Sequence, residues 1–200
     1  MQLASQPVSR RERNKQAKLD RITAAARELF AEHGIDEVTT QQIAEKADIG
    51  AGTLFLYAKS KGELLLLVQN SAYADALAKG KAAAAEISAP LEAVMAIIRP
   101  VVECNRTQVD NGRTYLREMV FGDPTEPHHH AALTLAAGTE AAIAAVLQRN
   151  GRTSAKPAAT LARAVSAIMF LTMAAATNAS RSTDELILDI REQVAAILPA

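Results

Sequence analysis

Between residues 50 and 61 the sequence gathers groups suited to holding a polyanion. Gly50-Ala51-Gly52-Thr53 is unusually slim, so backbone N–H groups and the Thr53 hydroxyl can come close to phosphates or base edges. Tyr57, Lys59 and Lys61 follow within one short stretch. Lys61 falls in the first turn of a predicted helix, where a cation opposes the helix dipole. That choice becomes favourable if the ammonium and the helix N-terminus hold one phosphate together; the alternative is a solvated surface lysine. Residues 1–21 add six Lys/Arg (Arg10, Arg11, Arg13, Lys15, Lys18, Arg21) against Glu12 and Asp20, although the whole chain has a formal net charge of zero. Residues 62–200 carry 12 basic and 14 acidic residues, so the positive charge sits at the N-terminal end. This basic arm either follows a nucleic-acid backbone or enters a minor groove, or it is a solvated tail that aids solubility.

No other constellation competes. Paired carboxylates, nucleophile–base sets, metal-ligand spacing and Gly-rich phosphate loops are not found, so no enzyme, cofactor or metal is expected. His128-His129-His130 are consecutive, so on a helix they would point in different directions. They follow Pro127 in a predicted loop, and a solvated cluster is expected there. Cys104 is the only cysteine, which excludes an intrachain disulfide and suits a small buried apolar residue.

The elements that must position the slim run are helical. Ile22, Ala25, Ala26, Leu29 and Phe30 recur at i, i+3, i+4, i+7 and i+8, and Gly34 stands where a left-handed C-cap belongs. Residues 1–15 before them are expected to be disordered. Thr39 or Thr40 caps a short helix bearing Ile43, Ala44 and Ala47. After Asp48-Ile49-Gly50 a second short helix covers 51–57, and Ser60 with Glu63 forms a capping box for a long helix to about residue 87. Further helices are expected from Pro90 to about Val109 (kinked at Pro100), over 113–121 after a break at Gly112, from after Pro127 to about Asn150-Gly151, from Pro157 to near Ser180, and from a Thr183 cap onward. About nine helices and no strands make the expected fold class all-α.

Two short helices joined by a tight turn and buttressed by a longer one have helix-turn-helix geometry. The run ITAAARELFAEHGIDEVTTQQIAEKADIGAGTLFLYAKSKGELL resembles the N-terminal domain of the TetR family of transcriptional regulators over residues 21–65. The matching landmarks are Ala25-Ala26, Leu29-Phe30, Gly34, Thr39-Thr40, Ile43-Ala44, Ala47, Gly52-Thr53-Leu54, Tyr57 and Ser60-Lys61. By resemblance, Thr40, Tyr57 and Lys61 contact phosphates, and Gln41, Ala51, Gly52, Thr53 and Phe55 face the groove or its walls. Ile22, Leu29, Phe30, Ile43, Ala44, Ile49 and Leu54 are expected core.

Four positions depart from the family pattern. Asp48 stands where glycine is usual, and aspartate tolerates a left-handed backbone. Gly50 replaces the common Ser cap, with the Asp48 carboxylate expected to substitute as acceptor. Phe55 replaces a frequent Tyr, and Ala58 replaces a bulky aromatic.

Past residue 66 the resemblance survives as helix count and order. It implies a chain divided at 66/67 into a DNA-binding domain and an effector-binding and dimerisation domain. Leu161, Val165 and Ile168 on one late helix and Leu186, Ile190 and Val194 on the last are expected to form the dimer interface as a four-helix bundle. Met95, Ile98, Tyr115, Met119, Phe121, Phe170 and Met173 are candidate ligand-pocket residues, with Arg99, Arg117 and Asn178 as polar anchors; the alternative for the apolar ones is simple core.

The expectation is a homodimeric regulator, a repressor released from a palindromic double-stranded operator by a small-molecule effector. The rivals are a helix-turn-helix scaffold acting as a protein-interaction module and a helical-bundle enzyme. The N-terminal residues lack the apolar core of a signal peptide, and the apolar stretch 164–176 falls short of a membrane span, so a cytoplasmic protein with no membrane partner is expected.

Overall fold

The computed structural model describes residues 9–149 and 153–198, and all regular structure among them is helical. The chain runs through α1 (Arg10–Glu37), α2 (Thr40–Lys46), α3 (Ala51–Leu54), α4 (Lys61–Ala85), α5 (Pro90–Asn105), α6 (Val109–Phe121), α7 (Pro127–Gln148), α8 (Ala155–Ala174), a 3₁₀ turn at Ala176–Asn178, and α9 (Thr183–Ile197).

Several boundaries differ from the sequence expectation. Residues 10–15 are helical, because Ser9 Oγ accepts from Glu12 N (3.2 Å) and Glu12 Oε2 accepts from Ser9 N (3.0 Å) in a capping box. Residues 1–8, also expected to be disordered, lie outside the described residues, as does the expected helix end at Asn150-Gly151. Gly112 does not break the chain: α6 begins at Val109, and Gly112 is buried in its first turns. A Cβ there would lie 2.0 Å from Asn105 O, so the corner between α5 and α6 closes only on glycine. Pro127 is the first residue of α7, where its fixed φ is favourable, so His128–His130 form that helix's first turn and not a loop. Ser182, not Thr183, caps α9, sharing a capping box with Glu185.

α4 is the central strut, packing on α5, α7, α1 and α6. Leu64, Leu65, Leu66 and Val68 are buried along it, and the expected domain boundary at 66/67 falls within this unbroken helix. α7 and α8 are long and apolar enough to cross a membrane by length and composition, each with a mean hydropathy of 1.4. The sequence reading expects no such segment. Their apolarity is largely alanine, which lets the two helices pack on each other while α7 also packs on α4.

Candidate nucleic-acid interface

α2 owes its start to Thr39, whose Oγ1 accepts from Gln42 N (3.2 Å) while Gln42 Oε1 accepts from Thr39 N (2.8 Å). Ile43 and Ala44 are fully buried, which leaves Thr40 half-buried and Gln41 exposed; the Gln41 amide donates to Glu45 Oε1 at 2.8 Å. Asp48 adopts φ 53 in the turn, as its tolerance of the left-handed region allows. Its carboxylate does not cap α3, however. It accepts from Arg21 at 3.2 Å, and α3 starts at Gly50 with no side-chain cap. The Arg21 guanidinium wins because it brings a full charge, whereas an N-terminal amide offers only a dipole.

α3 is a single turn anchored by fully buried Leu54. Around that anchor Ala51 and Thr53 are half-buried, Gly52 is exposed, and Phe55 and Leu56 are 47% and 82% exposed. Leu56 was not singled out from the sequence. The signal for it lay in Phe55-Leu56 themselves, since two adjacent large residues at a helix end cannot share one buried stripe.

Cations flank this slim surface. Arg10, Arg11, Arg13, Lys15 and Lys18 are exposed on the first turns of α1, and among the described residues none is ion-paired. The Tyr57 hydroxyl lies 3.5 Å from Lys15 O, which brings those turns alongside α3. Lys61 Nζ donates to Asp36 O (3.3 Å) and Val38 O (3.1 Å), so its cation complements the C-terminal end of α1. This gives Lys61 a structural reason for its place beyond phosphate contact.

Four ties join this head to the rest of the chain. α1 breaks at Gly34, whose φ 77 and ψ 159 belong to a region held almost only by glycine. Beside the break, buried Asn111 of α6 accepts from Ile35 N (2.7 Å) and donates to Phe30 O (2.8 Å). A ring nitrogen of His128 lies 3.0 Å from Tyr57 O, and Lys59 pairs with Glu126. Glu63 Oε1 accepts from His129 N at 2.9 Å instead of completing the expected box with Ser60, whose Oγ alone caps α4. His129 is buried, contrary to the expected solvated cluster, and both its ring nitrogens and Glu63 Oε2 have no protein partner. Burial pushes the Glu63 carboxyl above its ordinary value, with the nearby Glu126 adding to the rise while His128 and the backbone N–H donors hold it back.

Residues 22–68, which span most of α1 through the first turns of α4, match the family described as bacterial regulatory proteins, tetR family. The head is a tetR-family domain. Solved structures share the whole fold. A TetR transcriptional regulator from Rhodococcus sp. RHA1 superposes with a TM-score of 0.70 at 18% identity, over 92% of this chain and 97% of that one. Thermus thermophilus FadR, a TetR-family transcriptional repressor solved with lauroyl-CoA, gives 0.72 at 21% identity, over 91% and 96%. A TetR-family transcriptional regulator from Streptomyces coelicolor gives 0.61 at 19%, over 90% and 94%. Among curated proteins none matches significantly. The chain thus shares its fold with solved TetR-family regulators, and residues 22–68 match the tetR family.

Behind the tetR-family domain, the structure redistributes the residues expected at the pocket and the dimer face. Met95, Ile98, Tyr115, Met119 and Met173 are buried core, and the Tyr73 and Tyr115 rings pack with centroids 6.2 Å apart. Arg99 pairs at the surface with Glu103 and Asp184, and Asn178 donates to Thr172 O. Phe121, Phe170 and Arg117 instead line a cleft of about 650 Å³ between α6 and α8, with Asp36 of α1 at its edge. Val165, Leu186, Ile190 and Val194 turn fully inward, because α9 packs on α5 and α8 of its own chain. Leu161 and Ile168 are only partly buried. The outward stripe of α8 is Thr160, Ala164, Ala167 and Leu171, the last two also lining that cleft, and Leu188 and Ile197 are the exposed large apolar residues of α9.

Proposed function

We propose that the protein is a dimeric transcriptional regulator, a repressor that leaves a palindromic operator when a small molecule binds its C-terminal part. Residues 1–66 form the DNA-binding domain on this reading and residues 67–200 the effector-binding and dimerisation domain, with α4 shared between them. The observation that carries it is the coincidence of the tetR-family match with a slim, uncapped α3 flanked by unpaired cations. Thr40, Tyr57 and Lys61 would hold phosphates, and Gln41, Ala51, Gly52, Thr53 and Phe55 would meet the groove or its walls. Two copies joined through the outward faces of α8 and α9 would set their α3 helices about one DNA turn, roughly 35 Å, apart. The α6–α8 cleft is the effector site on this reading. Its size suits a small ligand and its lining an apolar one, in keeping with the acyl-CoA carried by the Thermus thermophilus neighbour. A cytoplasmic location follows from operator binding.

Selection of bound sequences from a random duplex pool, with affinity then followed against salt, tests this. A palindromic winner whose affinity falls on the order of a thousandfold between low and moderate salt is expected. No enriched sequence and no salt dependence would refute it in favour of a protein-interaction module.

A further inference from the structure

Resting on the DNA-reading function above, we propose that α3 and the two residues that follow it read the half-site through thymine methyl groups, by apolar contact from Phe55, Leu56 and Ala51. The inference starts from what this segment lacks. Guanine is read by Arg or Lys at O6 and N7, and adenine by Asn or Gln at N6 and N7. Residues 50–56 contain none of these four residue types. The amide expected at the groove, Gln41 of α2, already gives its Nε2 to Glu45 at 2.8 Å. Thr53 carries the one hydroxyl of the run and is half-buried.

What the segment does present is apolar. Phe55 and Leu56 are 47% and 82% exposed although Leu54 and Ala58 already anchor the turn in the core. An exposed leucine beside an exposed phenylalanine adds nothing to folding, and such pairs mark contact surfaces. In the major groove the thymine methyl is the apolar group that a base pair displays. The slim Gly50–Gly52 turn lets the backbone approach closely enough for short apolar side chains to reach it. Formal charge is confined to the flanks, in Lys59, Lys61 and the arm on α1. Phosphate contacts thus position the head, and methyl contacts select the sequence.

The test uses the full chain and the half-site recovered by selection. Each thymine is replaced singly by deoxyuridine, which removes only the methyl, and Kd is measured by fluorescence anisotropy at fixed salt. Losing one buried methyl weakens binding about fourfold, and this is expected at one or two positions per half-site. In Leu56→Ala or Phe55→Ala, whose exposed positions leave the fold intact by circular dichroism, the uracil penalty at the contacted position disappears. Sequence-selective binding that no uracil substitution weakens would overturn the methyl readout while leaving DNA reading in place. Loss of all sequence selectivity in the unmodified protein would instead overturn the DNA-reading proposal, and this inference with it.

Discussion

Replacing Asn111 by alanine removes a side chain that ties the break in α1 to α6. Asn111 is 3% exposed, accepts from Ile35 N at 2.7 Å and donates to Phe30 O at 2.8 Å. Phe30 and Ile35 are themselves buried, so water does not replace the lost partner. A buried backbone group left unsatisfied costs about 1–3 kcal/mol, and two of them give an expected loss of about 2–5 kcal/mol. That is a large share of an ordinary domain's stability, about 5–15 kcal/mol. Asn111→Asp is the control. Its carboxylate keeps an acceptor for Ile35 N but sets a second oxygen against Phe30 O, whereas the protonated acid can donate there. Its folded pKa is therefore raised, so stability is present below the unfolded value of about 4 and is lost as pH rises through the folded value. Urea unfolding followed by circular dichroism, at one protein concentration because a dimer's stability depends on it, reads both variants. The reasoning is refuted if Asn111→Ala falls within about 0.5 kcal/mol of the parent, the scale of an ordinary surface change. It also fails if Asn111→Asp shows no recovery at low pH.

Gly34→Ala is expected to lose about 1–3 kcal/mol from its backbone conformation. The added Cβ would lie 3.0 Å from Gln108 Nε2, whose side chain caps α6 by accepting from Asn111 N at 2.6 Å, so the urea midpoint reports backbone strain together with any disturbance of that cap. Burial raises the Glu63 carboxyl, so the folded state holds its proton to higher pH than the unfolded chain. Its contribution is present below the ordinary glutamate value and lost as pH rises through the raised one. Glu63→Gln, which keeps an acceptor for His129 N, should therefore gain on the parent as pH climbs from about 4 toward 7, and parallel stability curves would contradict this. Leu188→Glu places a charge on the outward face of α9 at a residue 56% exposed, so folding should survive. Sedimentation should show a monomer with weakened operator binding; an intact dimer would put the interface on another face.

The head was legible because its signals are local. Ile22, Phe30, Ile43, Ala44 and Leu54 are buried where their spacing put them, and Asp48 takes the left-handed turn expected of it. The body was less legible, since helical stripes declare that a face is buried without declaring what covers it. Leu186, Ile190 and Val194 form a true stripe, yet it packs on the chain's own α5 and α8. The same ambiguity hid His129, whose polar type suggested solvent while the start of α7 at Pro127 carried it inside. Glu63 fitted a local capping box, but a partner 66 residues away took its carboxylate.

Those long-range partners are also what the proposed effector control would require. A ligand in the α6–α8 cleft would press on α6 beside Arg113, Arg117 and Phe121, and α6 is the helix that holds α1 through Asn111. Asp36 stands at the edge of the same cleft, and its carbonyl receives Lys61 from the first turn of α4. A shift of α6 therefore reaches the head along two routes, one through the break at Gly34 and one through the start of α4. The ties from α7 to Tyr57, Lys59 and Glu63 join the head to the body, so in the dimer proposed above they would set how much of that shift becomes a change in α3 spacing. Coupling of this kind needs two arrangements of similar energy, and a buried joint with unpartnered Glu63 and His129 atoms is less strongly held in one arrangement than a fully paired one.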